Sequence, residues 1–198
     1  GLNYRYIVGT TLVLVPVLYV LLISAPYRRE RLLAFLDPWA DPLGGGFQII
    51  QSLIAVGSGG VTGRGFMEGV QKLFYLPEAH TDFVFAVIAE EFGLLGSILV
   101  IVLFGALVWR ALRIATESTM RERFFQAYVA FGFAIWQGFQ ALVNIGVNMG
   151  ILPTKGLTLP LVSYGRSSLV ITLIGLGLLF RIDLENRSHR VKARSAVR

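Results

Sequence analysis

The 198 residues contain no cysteine, which excludes both a disulfide framework and a thiolate metal site. Charge is also scarce: Asp, Glu, Lys and Arg make up 15% of the chain against 55% hydrophobic residues, and mean hydropathy is +0.66. A soluble domain carries more charge on its surface, so the chain reads as an integral membrane protein or a piece of one. It begins at Gly1, and no basic n-region precedes a cleavage site, so no signal peptide is read and an N-terminal part of a longer protein is expected to be missing. The sequence holds no GxGxxG and no GK[ST], which removes the dinucleotide and P-loop readings. It also holds no GxSxG elbow and no HExxH. The net charge of +6 would point to nucleic acid in a soluble chain; in a membrane chain it reports topology, and no nucleic-acid partner is expected.

What is present is a set of long apolar runs. Residues 6–25, 83–109, 124–149 and 159–180 each reach the roughly 20 residues needed to cross ~30 Å of hydrocarbon. The link after the second run carries Arg110, Arg113, Arg121 and Arg123, and the tail 181–198 is rich in Arg and Lys. The positive-inside rule makes both cytoplasmic and the 26–81 segment external. The fold class is therefore all-α, a single membrane domain over residues 1–198 with one large external loop. That loop is too long for a passive connector. Its opening "YRRERLLAFLDPWADPLGGG" suits a short amphipathic piece at the headgroups, and "FQIIQSLIAVGSGG" a re-entrant or interfacial helix. The glycines of "GSGGVTGRG" read more readily as structural than as phosphate-binding.

Gln126, Gln137, Gln140, Asn144 and Asn148 share one face of the third span. Two readings stand, hydrogen-bonding glue between helices and the lining of a wet cavity. Gly146 and Gly150 have the spacing of a close helix packing site.

The stretch "YLPEAHTDFVFAVIAEEFG" places Glu78, His80, Asp82, Glu90 and Glu91 beside an apolar span, where carboxylates are costly. On a continuous helix Glu91 lies ~28 Å beyond Arg110, and Asp82 a further ~12 Å out on the same face as Glu90. Thr81 or Asp82 as a helix N-cap is one reading. Chemistry at the membrane edge is the other. Lys72 lies close by in sequence, and Lys155 and Arg166 come from the neighbouring external link. Acids and cations converging at one membrane edge suit a ligand with hydroxyls and phosphates, such as a lipid-linked sugar diphosphate.

Four long, ordered motifs carry a resemblance: "DPWADPLGGGFQ", "QSLIAVGSGGVTGRG", "QKLFYLPEAHTDFVFAVIAEEFG" and "NIGVNMGILPTKGLTLPLVSYG". Together they resemble the SEDS family (shape, elongation, division and sporulation), nearest its FtsW branch with RodA as near relative, and they cover almost the whole chain. The resemblance implies a bundle of about ten transmembrane helices, of which this chain supplies the four of the C-terminal half. It implies a peptidoglycan glycosyltransferase that polymerises lipid II at the outer face of the bacterial cytoplasmic (inner) membrane, at the division septum. Its partners would be a class B penicillin-binding protein transpeptidase, other divisome proteins and membrane lipids.

In the family the aspartate of "HTDF" is the essential acid, which is Asp82 here. The implied mechanism has Asp82 as general base on the acceptor's 4-hydroxyl, with undecaprenyl diphosphate leaving. Lys72, Lys155 and Arg28 would meet the diphosphate, Glu78 would bind substrate, and His80 would orient Asp82 or make a structural hydrogen bond. A divalent cation, Mg or Mn, is the cofactor considered, with Glu78 or Asp82 as oxygen ligand, although no motif assigns it. The family's "LPLVSYG" continues Gly-Ser-Ser, whereas this chain has Arg166-Ser167-Ser168. The rival functions are a lipid II flippase, with the polar face of span three lining the path, and a scaffold that activates a transpeptidase. The isolated fragment is expected to be inactive, because the cavity lacks the missing helices.

Overall fold

A computed structural model describes residues 4–24, 33–70 and 80–195, with side chains described up to Ser188. Arg28, Lys72 and Glu78 lie outside these residues. All regular structure in the described residues is helical: α1 Tyr4–Ile23, α2 Phe47–Gly59, α3 Val84–Thr119, α4 Phe124–Asn148 and α5 Arg166–Ser195, with a 3-10 turn at Pro38–Ala40. Helices α1, α3, α4 and α5 are each long and apolar enough to cross a membrane. The protein is an all-α, multi-pass membrane protein.

The chain divides into two compact units, Gly1–Ile50 and Gln51–Arg198. In the first, α1 is apolar all round and exposes its side chains along its length, with Pro16 inside it. The "DPLGGG" turn is closed by the Asp41 carboxylate, which accepts from the Gly44 and Gly45 N–H groups at 3.1 and 3.0 Å. Helix α2 begins at Phe47 and has 13 residues, the length of an interfacial or re-entrant piece.

In the second unit α3, α4 and α5 pack together. Small side chains let the helices approach closely, as is usual where lipid supplies no hydrophobic drive. Ala111, Ala115, Ala130 and Ala134 are buried against Phe133, Leu179 and Ile182 at one end. Phe83, Ala86, Val143 and Val147 close on Ala55 of α2 at the other. The far ends of α3 and α5 are clasped by charge. Arg110 Nη2 donates to both oxygens of Asp183 at 3.0 Å, and Arg123 meets Glu185 at 3.2 Å. Buried Asn186 donates to buried Ser118 at 2.9 Å, and its carbonyl accepts from Arg121. The two basic blocks that the sequence assigns to one side of the membrane are thus joined to each other through Asp183, Glu185 and Asn186.

The second span departs from the continuous helix expected of it. Helix α3 runs on to Thr119, but at Gly93 the backbone takes φ 65°, ψ −156° and the helix breaks. Leu94 and Leu95 would normally donate to the carbonyls four residues back. Instead their N–H groups go to Gly60 and Val61, at 2.9 and 3.3 Å. The carbonyls of Glu90 and Glu91 accept in exchange from Arg64 and Gly65, at 3.0 and 3.1 Å. The glycine-rich loop therefore completes the broken helix. A Cβ on Gly63 would stand 2.0 Å from the Glu91 carbonyl oxygen, so no other residue permits this approach. The straight-helix spacing from Arg110 to Glu91 and Asp82 does not hold across this break. The fourth span also differs: residues 151–165 form an irregular link, and α5 starts at Arg166 rather than near Leu159.

The glycines of α4 serve its end rather than a helix crossing. Gly150 takes φ +68°, and the Ile151 and Gly150 N–H groups return to the carbonyls of Gly146 and Val147, at 2.8 and 3.0 Å. That pattern closes a helix C-terminus and turns the chain back into the link.

Candidate active site around Asp82

Asp82 is half-buried just before α3. Helix α3 has Phe83 at its N-cap position, and that side chain makes no capping hydrogen bond. The helix start is held from outside instead, by the amides of α4. Asn148 Oδ1 accepts from the Ala86 N–H at 2.9 Å, and its Nδ2 donates to the Asp82 carbonyl at 3.0 Å. Asn144 Nδ2 donates to the same carbonyl at 2.8 Å and to the Leu157 carbonyl at 2.6 Å. Gln140 donates to the Thr158 carbonyl at 2.9 Å. Ser52 of α2 donates to the Asn148 carbonyl at 2.8 Å. Asn144, Asn148 and Gln137 are buried, and the two asparagines spend their amides on backbone groups.

From Gln140 to Asn148 the polar stripe is therefore glue, and what it joins is specific: the segment that carries Asp82 and the 151–165 link. Replacing Asn148 by leucine is expected to lower stability by about 2 kcal/mol, since buried backbone groups lose a partner. Thermal unfolding of the purified protein measures this, and an unshifted midpoint would contradict it.

The link closes over the carboxylate. A Cβ built on Gly156 would come within 3.2 Å of Asp82 Oδ2, so the backbone beside Lys155 lies directly against the acid. Lys155 itself is exposed. His80 is exposed too, and its carbonyl accepts from the Tyr164 N–H at 2.9 Å. Asp82, His80 and Lys155 are thus brought to one end of the second unit. Among the described residues no three His, Asp or Glu side chains gather to hold a metal ion, and Glu78 lies outside them.

Glu90 and Glu91 have a different role. Both are buried. Glu90 Oε1 accepts from the Val70 N–H at 3.0 Å and lies 3.7 Å from Arg64 Nη1. Glu90 thus holds the chain that follows the glycine loop. Tyr164 had no signal of its own in the sequence. It joins the site through the turn that precedes α5.

The chain resembles curated proteins along nearly all its length. It is 57% identical over 187 residues to the probable peptidoglycan glycosyltransferase FtsW of Legionella pneumophila, covering 94% of this chain and 48% of that protein. It is 52% identical over 187 residues to the protein of the same name from Thiomicrospira cyclica, with the same coverage. A solved structure, described as "Structural coordination of polymerization and crosslinking by a peptidoglycan synthase complex", matches with a TM-score of 0.66 and 42% identity, over 94% of this chain and 51% of that one. The chain spans about half the length of the curated relatives it matches. The family model for cell cycle proteins of the FtsW, RodA and SpoVE type matches residues 1–188, and the chain belongs to that family.

Proposed function

We propose that the protein of which this chain is part polymerises lipid II into glycan strands at the outer face of the bacterial inner membrane during division. The observation that carries the proposal is the placement of Asp82. Its carboxylate lies at one end of the bundle under the Lys155–Gly156 link, and its backbone is fixed by two buried asparagines of α4. A carboxylate on a fixed backbone, against the link that carries the exposed Lys155, suits base chemistry on a substrate that also carries a diphosphate.

In the reaction, Asp82 takes the proton of the acceptor N-acetylglucosamine 4-hydroxyl. That oxygen forms a bond to C1 of the donor's N-acetylmuramic acid. The bond from C1 to the diphosphate oxygen breaks, and undecaprenyl diphosphate leaves with its electron pair. Lys155 meets the charge that develops on the leaving group, and Lys72 and Arg28 are assigned the same task. In this reading Glu78 is assigned to bind the sugar, and His80 to orient Asp82. No step is routed through a divalent cation.

The names of the relatives support a glycosyltransferase. The solved neighbour, described as a peptidoglycan synthase complex that coordinates polymerization and crosslinking, supports work inside such a complex. The partners assigned in this reading are a class B penicillin-binding protein for crosslinking and other divisome proteins at the septum. The flippase reading needs polar groups along a path through the bundle. The asparagines of α4 are instead consumed in holding backbone. The test is reconstitution of the intact protein with its transpeptidase in vesicles containing lipid II. Strands resolved on a gel are the expected result. Translocation of lipid II without strands would select the flippase, and neither activity would leave the scaffold.

A further inference from the structure

We infer that Arg166 and Tyr164 form an anion-binding pair in a groove beside His80, and that the pair takes the phosphate of a lipid. The groove has a volume of about 620 Å³ and is lined on one side by Leu161, Val162 and Leu169, and on the other by His80, Tyr164 and Arg166. An apolar wall next to a cation is the complement of a lipid chain ending in a phosphate.

The guanidinium is held in place by the protein. Its Nε and Nη2 donate to Tyr164 Oη at 3.2 and 2.9 Å, and its central carbon sits 5.8 Å from the Tyr164 ring centroid. Tyr164 is anchored in turn by its N–H bond to the His80 carbonyl. Other arginines face carboxylates, as Arg110 faces Asp183 and Arg123 faces Glu185, or a backbone carbonyl, as Arg121 does. Arg166 faces a phenol instead, and no acid is among the described residues that line the groove. Its remaining N–H donors have no protein acceptor among the described residues. An oriented guanidinium that lines a groove, with no carboxylate partner among the described residues, is arranged for an incoming tetrahedral oxyanion, which it grips through paired donors.

The inference deepens the polymerase reading and rests on it for the identity of the lipid, an isoprenyl diphosphate. It also gives a use to the arginine that interrupts the SYG-Gly-Ser-Ser pattern. Arg166 is a binding residue here, and Tyr164 positions it.

The test uses the intact protein in phosphatidylcholine nanodiscs, titrated with undecaprenyl diphosphate and, separately, with phosphatidylglycerol. Arg166→Gln is expected to raise the Kd for undecaprenyl diphosphate roughly tenfold, the loss of one charge-assisted contact. Tyr164→Phe, which frees the guanidinium but keeps the ring, is expected to raise it about threefold. Arg166→Lys should recover part of the loss. Arg166 is exposed, so its variants should melt with the wild type. An unchanged Kd in Arg166→Gln would overturn the inference. Equal effects on phosphatidylglycerol would overturn the assignment to the diphosphate and leave an ordinary headgroup site. Asp82→Asn should bind undecaprenyl diphosphate as the wild type does. If that variant still polymerises, the base assignment fails while the binding result stands, so the two failures are told apart.

Discussion

Asp82→Asn in the intact protein is expected to cut glycan strand formation by about 10²–10⁴-fold, the range that a positioned general base contributes. Asparagine keeps the shape of the side chain and cannot accept the proton. The local fold should survive the change. The hydrogen bonds from Asn144 and Asn148 reach its carbonyl, which the substitution leaves in place. The variant should therefore fold, bind its transpeptidase partner and bind undecaprenyl diphosphate, and yet make no strands. A helix-capping role predicts the reverse, a stability loss of about 1 kcal/mol with activity kept. Gel analysis of polymer from lipid II, run beside thermal unfolding, separates the two. Undiminished strands would end the assignment of Asp82 as base.

Gly93→Ala is expected to cost about 3 kcal/mol or more of stability and to lower the yield of folded protein sharply. Two effects add. The backbone at φ 65°, ψ −156° lies in a region that is essentially reserved for glycine. A Cβ there would also stand 2.3 Å from the Gly63 nitrogen and 2.6 Å from the Val61 oxygen. Neither atom can move aside cheaply, because both belong to the loop that exchanges hydrogen bonds with α3. Gly105 in the same helix is the control. Its added Cβ would meet open space, so Gly105→Ala should be neutral or slightly stabilising. Equal melting of the Gly93 and Gly105 variants would mean that the break is not built into the fold.

Much of the all-helical membrane architecture could be read from hydropathy alone. Long apolar runs with basic ends admit few other folds, because a membrane leaves backbone groups no outside partners. The polar face of α4 was also visible, as a period of amides. Its target was not, since Asn144 and Asn148 bind backbone carbonyls, which every residue has. The break at Gly93 was hidden for a related reason. One glycine in an apolar helix is a weak signal, and the groups that compensate it come from Gly60 to Gly65, well upstream. Hence the straight-line distance from Arg110 to Glu91 does not hold, while Asp82, singled out by its motif, lies on the other side of the break from Arg110. The pairing of Arg166 with Tyr164 depends on a turn in the irregular link, where periodicity gives no guide. Glu90 and Glu91 looked like chemistry because carboxylates are costly among apolar residues. The contacts of the buried Glu90 carboxylate to Val70 and Arg64 give it an anchoring role.

The exchange at Gly93 also constrains how the chain is assembled. During synthesis the glycine loop emerges before the helix it completes. Until Leu94 and Leu95 arrive, the Gly60 and Val61 carbonyls lack these donors, and until the loop docks, those of Glu90 and Glu91 are unfilled within the helix. Water can serve both in the meantime, but hydrocarbon cannot. Loop and half-helix are thus a single unit of insertion, and a chain that enters the bilayer with one and not the other carries open backbone that quality-control proteases can recognise.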